Sequence, residues 1–371
     1  MSTSQVVSQT TVRDGAASPV LVGEALVDPQ GQLWLPYDVA LTNGVMKGWT
    51  QASSHRHLRH AGRAPFVWEP PVDGCLHIIN GMGVTLGDSI VGFNALAWLV
   101  ARYPGLRIHL YRSARVPRYV RELYDLAGAF VHRVHALPCA LDTIPDGAID
   151  VSDFLRWPTF AQRPMVDFFF ASLGLDPAAV PAAAKTNAWL STVPRSGLPL
   201  PFGKQDYVLC CGGASTPLRR VPPEHAAALV DRIWGHYRKP VLGFGPVQHP
   251  QYLDVAAHSQ SIDQFIAWIA RAAVVVSGDS AAVHVAAAYD IPTLAVFASI
   301  EPRLRTRDYR RCVSVDLRNA LSDGLHECDD PLVLQAVANR WRTFIRSEIA
   351  WPEVVSGRPP TRRPGAIRAC A

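Results

Sequence analysis

The sequence predicts an α/β protein made of two successive βαβ halves, and three observations carry that prediction. The first is the stretch VVVSGDSAAVHVAAAYDIPTLAVFASIEP, Val274 to Pro302. A β-branched run stops at Ser277-Gly278-Asp279-Ser280, an alanine-rich helical stretch follows, and after Asp290-Ile291-Pro292 a second apolar run resumes at Thr293. That is strand, tight turn, helix, strand. The second is the same alternation starting at Cys75, and the third is a Pro-rich run, VPRSGLPLPFG, lying between the two series.

Taken in order, residues 1–74 differ in texture from the rest. ASPVLVGEALVDPQGQLWLPYDVALTNG alternates short apolar runs with turn signals, which predicts a small β-rich extension of antiparallel strands. Its His55, His57 and His60 lie among arginines at a spacing that fits no common metal site, so they are expected in a solvated basic loop. The first half, 75–195, opens with CLHIIN as a buried strand, GMGVTLGDS as a loop and IVGFNALAWLVARYPG as a helix stopped by Pro104-Gly105. RIHLY is the next strand and Val116 to Ala127 the next helix. Further strands are expected near Phe130–Val134 and Ala148–Val151, with a helix near Met165–Leu173. After the Pro-rich run the second half, 204–345, restarts with YVLCC, the loop GGASTPLRR and the helix PPEHAAALVDRIWGHY, whose prolines and Glu224 mark a helix start. VLGFG, SIDQFIAWIARA and the Val274–Pro302 stretch follow, then a last helix from Pro331 to Ile345. Residues 346–371 end in GRPPTRRPGAIRACA, a composition that cannot build a core and is expected to be disordered.

Bulk properties exclude several classes. A chain of 371 residues, 49% hydrophobic and 18% charged, suits a soluble globular protein with two sizeable cores. Neither a signal-peptide pattern nor an apolar run of ~18 residues occurs, so a cytoplasmic protein is expected. Seven cysteines without a C-x-x-C pair indicate free thiols rather than a disulfide framework or a zinc ribbon. The net charge of +5 does not imply nucleic acid, because Arg358, Arg362, Arg363 and Arg368 crowd the tail and leave the body nearly neutral. At most, that tail offers a peripheral tether to an anionic membrane surface.

The turn Ser277–Ser280 leaves the first N–H groups of the following helix unpaired at the carboxyl edge of a parallel sheet, where a phosphate can bind. The order Asp279-Ser280, two small residues, one apolar residue, His284, an alanine run and Ile-Pro resembles the donor-binding signature of family 9 glycosyltransferases, the bacterial heptosyltransferases. That family usually has glycine where this chain has Ala281. STPLRRVPPEH is similar to the family's phosphate loop, with Arg219 standing for the basic residue. Gly87-Asp88, followed by an apolar helix closing in Tyr-Pro-Gly, resembles the family's acceptor-domain entry. The resemblance implies the GT-B fold, two Rossmann-like domains facing across a cleft, with a terminal helix that crosses back to the first domain.

Residue roles follow from the chemistry together with this resemblance. Asp88 is the candidate general base, since a sugar hydroxyl is a poor nucleophile until its proton is removed; a helix N-cap is its other reading. Ser215, Thr216 and Arg219 can hold and neutralise a departing diphosphate, with Asp279, Ser280 and Ala281 at the facing turn. His284 either donates to a phosphate oxygen or is a satisfied core histidine. Ala281 either crowds the diphosphate with its methyl group or already lies in the helix. Arg112 and Arg115 are candidates for an anionic acceptor. No metal ligands are expected at this site, so the reaction is expected to run without a metal cofactor.

The function implied is inverting transfer of a sugar from a nucleotide-diphosphate donor, ADP-heptose by resemblance, to a hydroxyl on a glycolipid such as lipopolysaccharide core or on a protein. Two alternatives stay open: a catalytically silent scaffold of the same fold, favoured by Ala281, and a sugar-nucleotide epimerase.

Overall fold

A computed structural model describes residues 23–40, 47–193, 196–199, 202 and 206–354. Much of the Pro-rich run and the whole Arg-rich tail expected to be disordered lie outside these residues.

Fifteen strands form three sheets among the described residues. The first parallel sheet runs in the order β4 (Leu58–His60), β9 (Ala148–Asp150), β5 (Cys75–Ile79), β6 (Arg107–Ser113), β7 (Arg133–Leu137). The second runs β12 (Tyr252–Asp254), β11 (Val241–Gly243), β10 (Val208–Cys211), β13 (Val274–Gly278), β14 (Thr293–Phe297), β15 (Cys312–Asp316), and every pair in it is parallel. Counted within that half the order is 3-2-1-4-5-6, the doubly wound arrangement whose strand order reverses between β10 and β13. These are the two Rossmann-like halves of a GT-B fold.

The helices are α1 (Pro36–Ala40), α2 (Leu86–Arg102), α3 (Arg118–Leu126), α4 (Pro158–Gln162), α5 (Met165–Ser172), α6 (Pro223–Tyr237), α7 (Ile262–Arg271), α8 (Ala281–Ala288), α9 (Arg303–Thr306) and α10 (Pro331–Arg346). All four residues of β10 and all five of each of β13 and β14 are buried, as a parallel sheet covered on both faces requires.

A single apolar cluster joins the halves. It runs from Leu76 on β5 through Ile90, Phe93 and Leu96 on α2 to Val285 and Ala286 on α8. The alanine run of α8 lets it approach α2 closely: a Cβ placed on Gly87 would lie 3.9 Å from the Cα of Ala281. Trp189 Nε1 donates to the Ile90 carbonyl at 3.0 Å, and Asp167 on α5 accepts two bonds from Arg307, at 2.6 and 3.0 Å.

Two features differ from the sequence expectation. The antiparallel strands near the N-terminus exist, β1 (Leu26–Val27), β2 (Gln32–Trp34) and β3 (Thr50–Gln51), but β8 (Cys139–Ala140) completes their sheet and β4 joins the first parallel sheet beside β9. The N-terminal segment is thus woven into the first half, packing Val27, Leu33 and Leu35 onto Ile79, Tyr111 and Leu137. The terminal helix α10 also stays with the second half. Its Val337, Trp341, Phe344 and Ile345 meet Leu229, Val230 and Ile233 of α6, which buries the apolar stripe there.

Among the described residues no helix is long and apolar enough to cross a membrane. The six described cysteines are free thiols.

Candidate active site

The site forms where the N-termini of α2 and α8 meet. On the first side, Thr85 caps α2: its backbone is extended, its hydroxyl donates to Asp88 Oδ2 at 2.6 Å, and Asp88 N–H lies 3.5 Å from its oxygen. Asp88 is therefore the third helical residue and not the N-cap, which leaves its carboxylate less committed to the backbone than a cap would be. Burial raises its pKa above the usual carboxylate range; the Thr85 hydrogen bond and the charges of Arg305 and Arg219 oppose that rise, and Asp279 adds to it. The loop before it needs glycine at Gly83, where φ is +89° and a Cβ would meet Asp88 Cβ and the Phe154 ring at 3.1 Å. Tyr124 pins that loop, accepting from Met82 N–H at 3.0 Å.

On the facing side, β13 ends at Gly278 and Ser280 caps α8, accepting from Ala282 N–H at 3.2 Å. Asp279 is buried, its Oδ2 has no hydrogen-bond partner, and Arg219 Nη1 lies 3.7 Å away. Arg219 stands on a short 3-10 turn, Pro217–Arg219, after β10 and donates to Ser215 Oγ and, at 3.4 Å, to Thr216 Oγ1. The structure thus brings Ser215, Thr216, Arg219, Asp279, Ser280, Ala281 and His284 to the reversal point between β10 and β13, where open parallel sheets bind ligands. Ala281 is the first residue of α8, so the second of its two readings holds: the methyl group belongs to a regular helix.

His284 is buried, and burial pushes its pKa down to about 4, with Asp279 opposing the shift and Arg305 and Arg219 reinforcing it. It is neutral at pH 7. Tyr309 Oη lies 2.8 Å from its Nδ1.

The sequence reading missed Arg305 and His326. Arg305 is buried on α9 with its guanidinium 5.1 Å from the Phe160 ring, and its charge acts on both Asp88 and Asp279. The His326 ring lies tilted 5.6 Å from the same ring, and its pKa is pushed down to about 4, first by burial and then by Arg305 and Arg219. The run Arg303-Leu304-Arg305 directly after Glu301-Pro302 was the available signal for Arg305; for His326 there was none, since only the loop after β15 brings it back.

Arg112 and Arg115 do not join this group. Arg112 stacks on Tyr124 at 4.6 Å, beneath the glycine loop, with Nε and Nη1 buried and unpartnered, whereas Arg115 is exposed near Asp38. The expected solvated histidine loop is also corrected at His60, which is buried beside Glu24 and Asp150.

Residues 246–320 match the family model of glycosyltransferase family 9 (heptosyltransferase). The match spans 75 of the 371 residues. Comparison with curated proteins gives no match. Among solved structures the chain is similar to E. coli ADP-heptose lps heptosyltransferase II, with a TM-score of 0.40 and 16% identity over 73% of this chain and 98% of that one. It is similar to E. coli heptosyltransferase WaaC with ADP, with a TM-score of 0.41 and 14% identity over 72% and 97%. A third is the iron-containing dodecameric glycosyltransferase TibC from enterotoxigenic E. coli H10407, with a TM-score of 0.48 and 13% identity over 76% and 80%.

TibC overturns the expectation of a reaction free of metal, since a similar protein is described as iron-containing. Among the described residues Glu24, His60 and Asp150 bring one ligand atom each within 4.8 Å of one another. His60 Nε2 faces the Gly23 carbonyl at 2.8 Å and its Nδ1 is unpartnered, a nitrogen and oxygen set that suits iron or zinc. The carboxylates are already engaged by Ser53, Ala25 and Ser152 N–H groups and by Arg63, so an ion there would displace existing contacts.

Proposed function

We propose that this protein is a heptosyltransferase-like enzyme that moves a sugar, with inversion, from a nucleoside-diphosphate donor to an acceptor hydroxyl. The observation that carries the reading is the abutment of two helix N-termini, α2 bearing Asp88 and α8 bearing His284 and led in by Asp279 and Ser280, with Arg219 3.7 Å from Asp279 and the charge of Arg305 acting on both aspartates. Asp88 takes the proton of the acceptor hydroxyl as its oxygen attacks the anomeric carbon, and the bond from that carbon to the diphosphate oxygen breaks on the opposite face. The charge released onto the diphosphate falls on Arg219, the N–H groups of α8 and the His284 imidazole.

ADP-heptose is the donor to test first, because relatives are described with ADP or ADP-heptose, and the acceptor is a lipopolysaccharide core sugar or a protein hydroxyl. The cytoplasmic face of the inner membrane is the fitting place for either. Calorimetric titration with ADP, UDP, GDP and CDP tests the reading: the transferase binds at least one, and binding of none leaves a silent scaffold. Transfer of radiolabelled sugar from the matching donor, with release of the diphosphate, separates a transferase from an epimerase.

A further inference from the structure

A buried chain of hydrogen bonds runs from α2 to His284, and each proton in it has one permitted direction. Asn94 on α2 donates through Nδ2 to the Val91 carbonyl at 3.0 Å and accepts through Oδ1 from the Asn187 backbone N–H at 3.0 Å. Neither backbone group can change polarity, so the Asn94 amide has one orientation. Its Nδ2 also donates to Asn187 Oδ1 at 2.6 Å, which leaves Asn187 Nδ2 to donate to the His284 carbonyl at 3.0 Å and to Tyr309 Oη at 2.9 Å. Turning the Asn187 amide over would set two donors against each other at one end and oxygen against the His284 carbonyl at the other. Tyr309 Oη therefore accepts from Asn187 and gives its own proton to His284 Nδ1 at 2.8 Å.

We infer that Asn187 and Tyr309 are positioning residues that fix His284 in the tautomer with its proton on Nε2, so that the imidazole offers a hydrogen-bond donor at the junction of α2 and α8. The ring edge carrying Nε2 faces that junction: a Cβ on Gly87 would lie 3.4 Å from Cδ2 and 3.7 Å from Nε2. Asn94, Asn187, His284 and Tyr309 are all buried, so water does not compete for these bonds. Asn187 holds its place with φ at +60°, a left-handed backbone that asparagine tolerates better than most residues. The assignment of the acceptor of this donor, an oxygen of the nucleotide diphosphate, rests on the proposed function.

The test uses the full chain labelled with 15N-histidine, with the His284 signals identified by their loss in His284→Gln. Two-bond nitrogen–proton correlation at neutral pH is expected to show a protonated Nε2 and a lone pair on Nδ1. A proton on Nδ1 would overturn the inference. In Tyr309→Phe the ring remains but the donor to Nδ1 is gone, so His284 is expected to populate both tautomers and ADP affinity to fall by roughly tenfold. An unchanged tautomer in Tyr309→Phe would likewise overturn it. Should that variant not fold, the spectrum of the unmodified protein decides the question. Failure of the unmodified protein to bind ADP or any other nucleoside diphosphate, with the tautomer as stated, would overturn the donor-site reading and leave the tautomer assignment standing.

Discussion

Gly278→Ala tests the contact on which the proposed diphosphate side of the site depends. Gly278 is the last residue of β13, and a Cβ built there lies 2.5 Å from the Arg219 carbonyl oxygen, a backbone atom that no side-chain rotation can move. To reach the 3.4 Å at which ordinary contact begins, the strand end and the Pro217–Arg219 turn must part by about 0.9 Å. The turn is anchored behind by Val221 N–H on the Gly212 carbonyl at 2.9 Å, so the displacement falls on Arg219 itself. Its guanidinium, now 3.7 Å from Asp279, moves out of ion-pairing range. Overpacking of this kind costs about 1–3 kcal/mol. At about 2–4 °C per kcal/mol for a domain of this size, Tm is expected to fall by roughly 2–12 °C. Loss of a charge-assisted contact to phosphate, about 1.5–3 kcal/mol, weakens ADP binding by roughly tenfold or more. Differential scanning fluorimetry and calorimetric titration on one preparation give both numbers. A variant with unchanged Tm and unchanged ADP affinity would refute the close approach of β13 to the Arg219 turn.

Two further substitutions probe the helix tips. Asp88→Asn is expected to lower transfer by ~10²-fold or more while nucleotide affinity stays within about twofold. Because the folded pKa of Asp88 lies above the ordinary value, its carboxyl stays protonated to a higher pH than a free aspartate; as the proposed base it is expected to set an acid limb of kcat/KM above the usual carboxylate range, absent from the variant. The same sign means that ionising Asp88 costs stability as pH rises above its unfolded pKa, so Asp88→Asn is expected to hold or raise Tm at pH 7; a lowered Tm would assign Asp88 a structural role. Ala281→Gly is expected to cost about 0.5–1 kcal/mol, a drop of roughly 1–4 °C in Tm, with no gain in nucleotide affinity. Tighter ADP binding by that variant would restore the reading in which the methyl group crowds a phosphate.

What the sequence determined by itself was local. The β-branched run at Val274–Val276, the turn after it and the alanine run of α8 specify strand, turn and helix through spacing and residue type. Those signals lie within a few residues of one another, so the turn Ser277–Ser280, the loop that carries Arg219 and the helix start at Gly87-Asp88 were legible as local structure, and the family match at residues 246–320 includes that turn. Sequence spacing could not say which residues meet across the halves. The capping role near Asp88 went to Thr85 because its hydroxyl, three residues back, reaches the first turn of α2, and Arg305 became part of the site because α9 folds it under Phe160 from the other half. His60 left the solvated loop for the company of Glu24 and Asp150, partners far away in the chain: the β4–β9 pairing brings Asp150 opposite it, and the bonds of Gly23 to His60 and of Ala25 to Asp150 bring Glu24. The orientation of the Asn94–Asn187–Tyr309–His284 chain is likewise a tertiary property. Four residues spread over more than two hundred positions share their protons in one direction because three buried backbone groups at the ends of that chain cannot exchange donor for acceptor.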